Sequence, residues 1–494
     1  MKKLSITNTT GIVKRQVKVL QYGEGNFLRG FIDYFIDRLN EETAFDGSIV
    51  IVKPTNHGNL DRFKLQHNLY TVILQGLVDN KPYKEIRTIT SIHDCINPYN
   101  QYELYISYAK SDSLEFIISN TTEAGITYLE TDNINMMPPE SYPAKLTQFL
   151  YKRFEFFSGA TDKGLYILPV ELIDNNGDEL KSCVNRLIKH WNLSTDFYNW
   201  VNECCHFINT LVDRIVTGFP VDNSDYYFSK LGYQDMLLVT AEPFGLWVIE
   251  GDHLLQQKLC CTNTSLPILF TNNQKPYKER KVRILNGAHT SFALVSFLCG
   301  NNYVKESLED PIIREFIEMT VYSEIIPQLS LSENESTTFA NEVFQRFKNP
   351  YVNHSLLSIS HNSVAKWRTR CLPSLLAYYK KNQKLPQCLV FSLAALIKFY
   401  EGKSIDNTLR EGDRDGLPYK IIDTSDVLLY FDLNNKSSDN DLVSGYLKNK
   451  EFHGMDLTDI PDLLDEVVDY FSQINNVGIR TALCSMLLKE KFNE

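Results

Sequence analysis

No stretch of this 494-residue sequence is apolar for long enough to span a bilayer. The most apolar run, CLVFSLAALI at 388–397, falls well short of the about 20 residues that a spanning helix needs. Positive charge is not in excess either. There are 50 Lys and Arg against 61 Asp and Glu, for a formal net charge of −11. That excludes a basic footprint for nucleic acid or an anionic membrane, although a locally basic pocket still takes an anionic small molecule. The ten cysteines include no CxxC and no Cys/His ligand spacing. Free thiols are expected, and no metal site. The opening MKKLSITNTTG has two lysines but no apolar core after them. No secretory signal is expected, and the protein is read as cytoplasmic. Internal repeats and low-complexity tracts are absent as well.

What is present is an ordinary globular balance, 43% hydrophobic and 22% charged, in a chain long enough for two or more domains. The first half alternates short β-type runs with helical patterns. The runs are VKVLQY (17–22), SIVIVK (48–53), LEFIIS (114–119), GLYILPVEL (164–172) and DMLLVT (235–240). Alternation of this kind predicts βαβ units and a mostly parallel sheet. From about 280 onward the runs lengthen and take a helical period, as in SFALVSFLCG, PIIREFIEMTVYSEII and LLDEVVDYFSQI. A polar stretch, TNNQKPYK at 271–278, lies between the halves. The expected architecture is an α/β Rossmann-type domain over 1–275, followed by a mostly α-helical domain over 276–494. An active site between them is expected, because pockets favour domain interfaces.

VKVLQY runs directly into Gly23-Glu24-Gly25-Asn26-Phe27-Leu28-Arg29-Gly30, and FIDYFIDRLNEE follows with helical periodicity. In a strand–turn–helix of this kind, Gly23 permits the tight turn. Gly25 lets the backbone approach a pyrophosphate at a helix start. The third glycine of G-x-G-x-x-G is missing, because Leu28 stands there, and Lys53 rather than an acid ends the second strand. Taken alone, these residues fit a structural turn as well as a dinucleotide cradle, and Lys53 leaves NAD and NADP both open. Asn120 and Thr121, just past a strand's carboxyl end, are placed to meet a nicotinamide ribose.

Lys281-Val-Arg-Ile-Leu-Asn286-Gly-Ala-His289 opens the helical half. At about 100° per residue, Lys281, Asn286 and His289 fall within an arc of roughly 140° on a helix. A metal-free hydride-transfer enzyme needs a general acid/base for the alcohol proton and donors for the developing alkoxide. A lysine, an amide and an imidazole meet that need; they also make an ordinary solvated face.

These residues resemble the polyol-specific long-chain dehydrogenase/reductase family, also called the mannitol dehydrogenase family. Its K-x4-N-x2-H motif is matched by Lys281, Asn286 and His289. Its G-x-G-x-F-x-R-A/G turn is matched by Gly23, Gly25, Phe27, Arg29 and Gly30. SNTTEAG (119–125), LVDRI (211–215), AEPFGLWVIEG (241–251) and RFKNP (346–350) extend the likeness over most of the chain. The resemblance implies NAD as cofactor and a catalytic set of Lys281, Asn286 and His289. It assigns cofactor contacts to Gly23, Gly25, Asn26, Phe27, Arg29, Lys53, Asn120, Thr121 and Glu123, and a substrate contact to Asp213. Within the family the likeness is greatest to members acting on sugar acids. Other acids or polyols of the same chemistry, and a non-catalytic nucleotide-binding sensor, are the alternatives. Two departures from the mannitol enzymes stand out. Glu171-Leu172 replaces an Asp-Asn pair, and Lys278 stands where a proton-relaying glutamate is found. A sugar-acid substrate needs a cation for its carboxylate. Arg283, His354, Lys366 and Arg370 are the candidates, with His354 and Lys366 favoured. Trp247, on an apolar run, is read as core.

Overall fold

The computed structural model describes residues 2–9, 12–121, 125–406 and 409–493. The chain forms two compact units, Met1–Gln274 and Lys275–Glu494.

The first unit is built on a six-stranded sheet in which every pairing is parallel. Its strands are β1 (Gln16–Tyr22), β2 (Gly47–Val52), β3 (Ile92–Ile96), β4 (Phe116–Ser119), β5 (Tyr166–Pro169) and β6 (His206–Phe207). Their spatial order is 3-2-1-4-5-6, the Rossmann order. Side chains alternate between two cores. Val19, Ile49, Ile51, Phe116 and Ile118 enter one, and Leu20, Val50, Val52, Ile117 and Ile167 enter the other. Burial on both faces is why these strands read as unbroken apolar runs instead of a polar–apolar alternation.

Smaller sheets belong to the same unit, among them a two-stranded pairing of Lys2–Lys3 with Tyr233–Gln234 and two larger ones. One joins the hairpin Tyr70–Val78/Lys81–Ile89 to Val239–Ala241 and Val216–Gly218; the other pairs Thr210–Asp213, Leu246–Glu250 and Ile268–Thr271. The predicted strand DMLLVT is mostly turn. Residues 235–238 bend because the buried Asp235 carboxylate accepts from the backbone N–H of Thr71 and of Leu237 and from the Gln66 amide. Only Val239–Ala241 pairs. Runs 114–119 and 164–172 also shorten, to β4 and β5.

The second unit is helical apart from a three-stranded antiparallel sheet, Lys403–Asp406, Leu409–Arg414 and Leu417–Ile422. Its centre is a pair of helices buried on nearly every side, Ala288–Leu298 and Gln387–Phe399. The run that is too short for a membrane is therefore a fully buried core helix. The buried Glu324 carboxylate caps the second helix, accepting from the N–H groups of Cys388 and Leu389. Among the described residues no helix is long and apolar enough to cross a membrane.

Candidate active site

The order 3-2-1-4-5-6 places a topological switch point between β1 and β4, and ligands of such sheets bind beyond the strands' carboxyl ends there. Gly23 follows β1, and Asn120 and Thr121 follow β4. Gly23 has φ +125°, and a Cβ on it would stand 2.7 Å from Leu28 Cδ1 and 2.8 Å from the Asn120 carbonyl oxygen. Leu28 fills the space beneath the turn, which is why no glycine is needed at its position. The close helix–strand packing that a third glycine permits occurs instead at Gly30, where a Cβ would come within 2.9 Å of Val216. Gly25 differs from both. Its φ of −67° suits any residue, and a Cβ there meets no protein atom within 4 Å. The protein does not itself require glycine at 25. The exposed backbone leaves room for a phosphate to approach, so the turn fits a dinucleotide.

The helix after the turn is broken. A short α1 (Asn26–Gly30) and α2 (Ile32–Glu42) are separated at Phe31, whose φ of −126° and ψ of −77° leave the helical region. Other predicted cofactor residues look inward. Phe27 stacks on Phe31 at 5.2 Å. The buried Arg29 guanidinium donates to the Leu237 carbonyl and to Asn26 Oδ1, between the rings of Phe63 and Tyr70. Lys53 is fully buried and its ammonium donates to the carbonyls of His57 and Gly58, so it ties a loop together. Asn120 donates to the Val170 carbonyl. Thr121 donates through both N and Oγ1 to Glu171 Oε1, and Ser119 to Glu171 Oε2. Glu171 thus works from below the crevice as a buried acceptor that shapes the end of β4; burial pushes its carboxyl up. Sequence reasoning had noted Glu171 only as a departure from the mannitol enzymes. Glu123 lies outside the described residues. Asp213 is buried at the end of its strand. Next to it, Arg214 donates to the carbonyls of Gly30, Pro243 and Phe244. Trp247 is fully buried among Phe31 and Phe35.

In the second unit Lys281–Gly287 is a π-helix that runs into α3 (Ala288–Leu298). The 100° wheel therefore does not hold here. Because a π-helix pairs residue i with i+5, Lys281 and Asn286 lie one turn apart on the same side, closer than an α-helix would bring them. His289 follows on the first turn of α3. Gly287 allows α4 (Ser363–Arg370) to cross this segment: a Cβ at 287 would stand 3.2 Å from the Arg370 carbonyl oxygen. The Cys371 thiol reaches the Gly287 carbonyl at 3.6 Å.

His289 is 8% exposed, and its Nε2 has no hydrogen-bond partner among the described residues. Its ring lies against Phe347 at 4.3 Å and edge-on to His354 at 5.0 Å. Burial, and then the neighbouring His354, Arg346, Arg370 and Lys366, hold its imidazole well below the usual range. His289 is therefore neutral, with an unused ring nitrogen. The predicted His354 and Lys366 join this cluster. Lys366 donates to the Ile359 carbonyl at 2.8 Å. Burial lowers both groups, and a neighbouring cation lowers each further, Lys366 for His354 and Arg370 for Lys366. Arg346 and Phe347 were legible only as part of RFKNP. Arg283 is turned the other way, to Ser374 at 3.1 Å and Glu279 at 3.7 Å. Among the described residues no group of three or more His, Cys, Asp or Glu is arranged to hold a metal ion.

Comparison with known proteins decides the lineage. Residues 17–261 match the mannitol dehydrogenase Rossmann domain, and 273–475 the mannitol dehydrogenase C-terminal domain. The chain belongs to the mannitol dehydrogenase family. Among curated members it is 42% identical to the altronate oxidoreductase of Yersinia enterocolitica, covering 95% of this chain and 96% of that one. Solved structures share the family's fold at lower identity. Mannitol 2-dehydrogenase of Pseudomonas fluorescens, in complex with NAD and D-mannitol, has a TM-score of 0.69 at 19% identity, over 99% of this chain and 100% of that one. D-sorbitol dehydrogenase in substrate-free form has a TM-score of 0.76 at 17% identity, over 95% of each. The two family domains match the two halves anticipated from the sequence, a Rossmann domain and then a largely helical one.

Proposed function

We propose that this member of the mannitol dehydrogenase family is an NAD-dependent oxidoreductase interconverting D-altronate and D-tagaturonate, that is, a tagaturonate reductase. The 42% identity with altronate oxidoreductase over 95% of the chain carries the reading. NAD binding is assigned to the first unit, at the Gly23–Asn26 turn and at Asn120 and Thr121. Substrate binding and proton chemistry are assigned to the second. NAD supplies the hydride acceptor for alcohol oxidation when bound.

The chain's own residues supply the rest. Lys281 takes the alcohol proton in oxidation and returns it in reduction, as general acid/base chemistry requires. Asn286 donates through its amide to the reacting oxygen. His289, kept neutral by burial and by its cationic neighbours, hydrogen-bonds that oxygen through the ring nitrogen left without a protein partner. A neutral imidazole suits this role, because it polarises the oxygen without competing for the lysine's proton. His354 and Lys366 contact the substrate beside it, and Asp213 is the first unit's candidate contact.

Two measurements test the reading. Lys281→Ala should lower turnover roughly 10²- to 10⁴-fold while leaving NADH binding nearly intact; near-normal turnover would refute the assignment. A panel of aldonates and polyols, run with NAD and with NADP, tests the substrate. Preference for mannitol would sink the altronate reading.

A further inference from the structure

We infer that Arg370 is the residue that recognises the substrate carboxylate, with Lys366 beside it, and that this pair selects sugar acids over uncharged polyols. The inference deepens the sugar-acid reading above and rests on it.

Three other buried guanidiniums are each held by several acceptors. Arg153 donates to four carbonyls, those of Lys163, Ala109, Ser111 and Leu114. Arg214 donates to three, and Arg410 to two carbonyls and the Asp432 carboxylate. Arg370 is different. It is half-buried, and among the described residues its one hydrogen-bond partner is the Thr290 hydroxyl, at a long 3.4 Å. No carboxylate pairs with it among those residues. A guanidinium carries five N–H donors in a planar fork matched to a carboxylate, so most of this fork is unused.

The fork's position is set by packing. Lys366 and Arg370 are four residues apart on α4 and so share a face. The crossing at Gly287 brings the end of α4 onto the catalytic turn. Thr290 in turn donates to the Asn286 carbonyl at 2.9 Å. Arg370 therefore sits one hydroxyl away from the segment that carries Asn286 and His289.

Further basic groups surround the site. His354, Arg346 and Lys366 stand around His289. Asp423, which acts on Lys366, accepts from the Tyr400 hydroxyl and the Thr424 N–H, and Glu279 faces Arg283 and Ser330. The unpartnered Nε2 of the buried His289 marks where a polar ligand is needed, and the open guanidinium fork of Arg370 marks where an anion fits. A sugar acid meets both needs, with its carboxylate on Arg370 and Lys366 and a hydroxyl toward His289. A polyol meets only the second.

The test is the ratio of kcat/KM for a hexonate to kcat/KM for its alditol in wild type, Arg370→Met and Arg370→Lys. Alditol binding is read as inhibition where its turnover is too slow, and the NADH Kd confirms the fold. Arg370→Met should lower the ratio on the order of 100-fold, mainly through KM for the acid, as loss of one partner of a desolvated charge pair does. Arg370→Lys should recover part of it, and added guanidinium should restore acid turnover to Arg370→Ala. An equal fall on acid and alditol, or an unchanged ratio, would overturn the inference. Should Arg370→Met not fold, Arg370→Lys and Lys366→Met decide by the same ratio. A wild type that ignores altronate but discriminates another hexonate from its alditol through Arg370 would sink the altronate reading and leave this one standing. A wild type preferring the alditol of every pair would sink both.

Discussion

The two glycines of the turn allow fold and cofactor binding to be separated by single methyl groups. At Gly25 the backbone has an ordinary φ of −67°, and an added Cβ meets no protein atom within 4 Å. Gly25→Ala should therefore cost the fold nothing. By narrowing the unfolded ensemble it should stabilise the first unit by about 0.4–1 kcal/mol, or raise its Tm by about 1–3 °C. NADH should suffer instead, because the methyl stands where the pyrophosphate approaches. An overpacking cost of about 1–3 kcal/mol weakens the Kd roughly 5- to 150-fold. Gly23→Ala should behave in the opposite sense. Its φ of +125° strains any side chain, and the Cβ would press on the Asn120 carbonyl at 2.8 Å and on Leu28 at 2.7 Å. Strain of about 1–2 kcal/mol and overpacking of about 1–3 kcal/mol together lower stability by about 2–5 kcal/mol. The assays are thermal unfolding and fluorescence titration with NADH. A Gly25→Ala protein that binds NADH as tightly as wild type would refute the cradle. A Gly23→Ala protein as stable as wild type would refute the packing argument.

Three further outcomes follow from buried charges. Lys53→Met should lower stability by about 1–3 kcal/mol, since the carbonyls of His57 and Gly58 lose their donor; the NAD-to-NADP preference should not move, and a large change in it would show that the ammonium does reach the ribose. Burial, opposed by hydrogen bonds from Tyr70 and Gln21, pushes Asp33 up from 3.8 to about 7. Its contribution to stability is therefore full below about pH 4 and is lost as pH rises through about 7; Asp33→Asn should flatten that decline between about pH 4 and 7 in unfolding experiments, and an unaltered decline would refute the assignment. Burial moves His453 the other way, from 6.5 to about 4. Its Nε2 lies 3.0 Å from the Tyr446 carbonyl and its Nδ1 has no partner among the described residues. That contribution, about 3 kcal/mol, is present above about pH 6.5 and lost as pH falls toward about 4. NMR titration of the ring at its ordinary value would contradict it.

Much of this protein is written locally. Unbroken apolar runs announced a sheet buried on both faces, because a strand so placed has no polar side to display. The switch from short runs to helical period announced a Rossmann-type domain followed by a largely helical one. The spacing of Lys281, Asn286 and His289, and the glycines at 23 and 25, singled out the segments at which the proposal is aimed. Where reading failed locally, a distant partner was responsible. DMLLVT has the composition of a strand, yet Asp235 bends it by accepting from Thr71, far away in the chain. Arg29 and Lys53, given as cofactor contacts by the family resemblance, donate in this structure to the Leu237 carbonyl and to the carbonyls of a neighbouring loop.

Only tertiary structure decided what surrounds the Lys281–His289 segment. A helical wheel assumes a regular α-helix, and the crossing of two segments at Gly287 accompanies a π-helix in its place. Burial does most to keep His289 neutral, and His354, Arg346, Arg370 and Lys366, drawn from three separate segments and none adjacent to it in sequence, add to it. Residue type and spacing are local properties and can be read from the chain. Burial, the acceptor a donor finds and the charge around a group are sums over everything that packs nearby, so they exist only once the chain has folded.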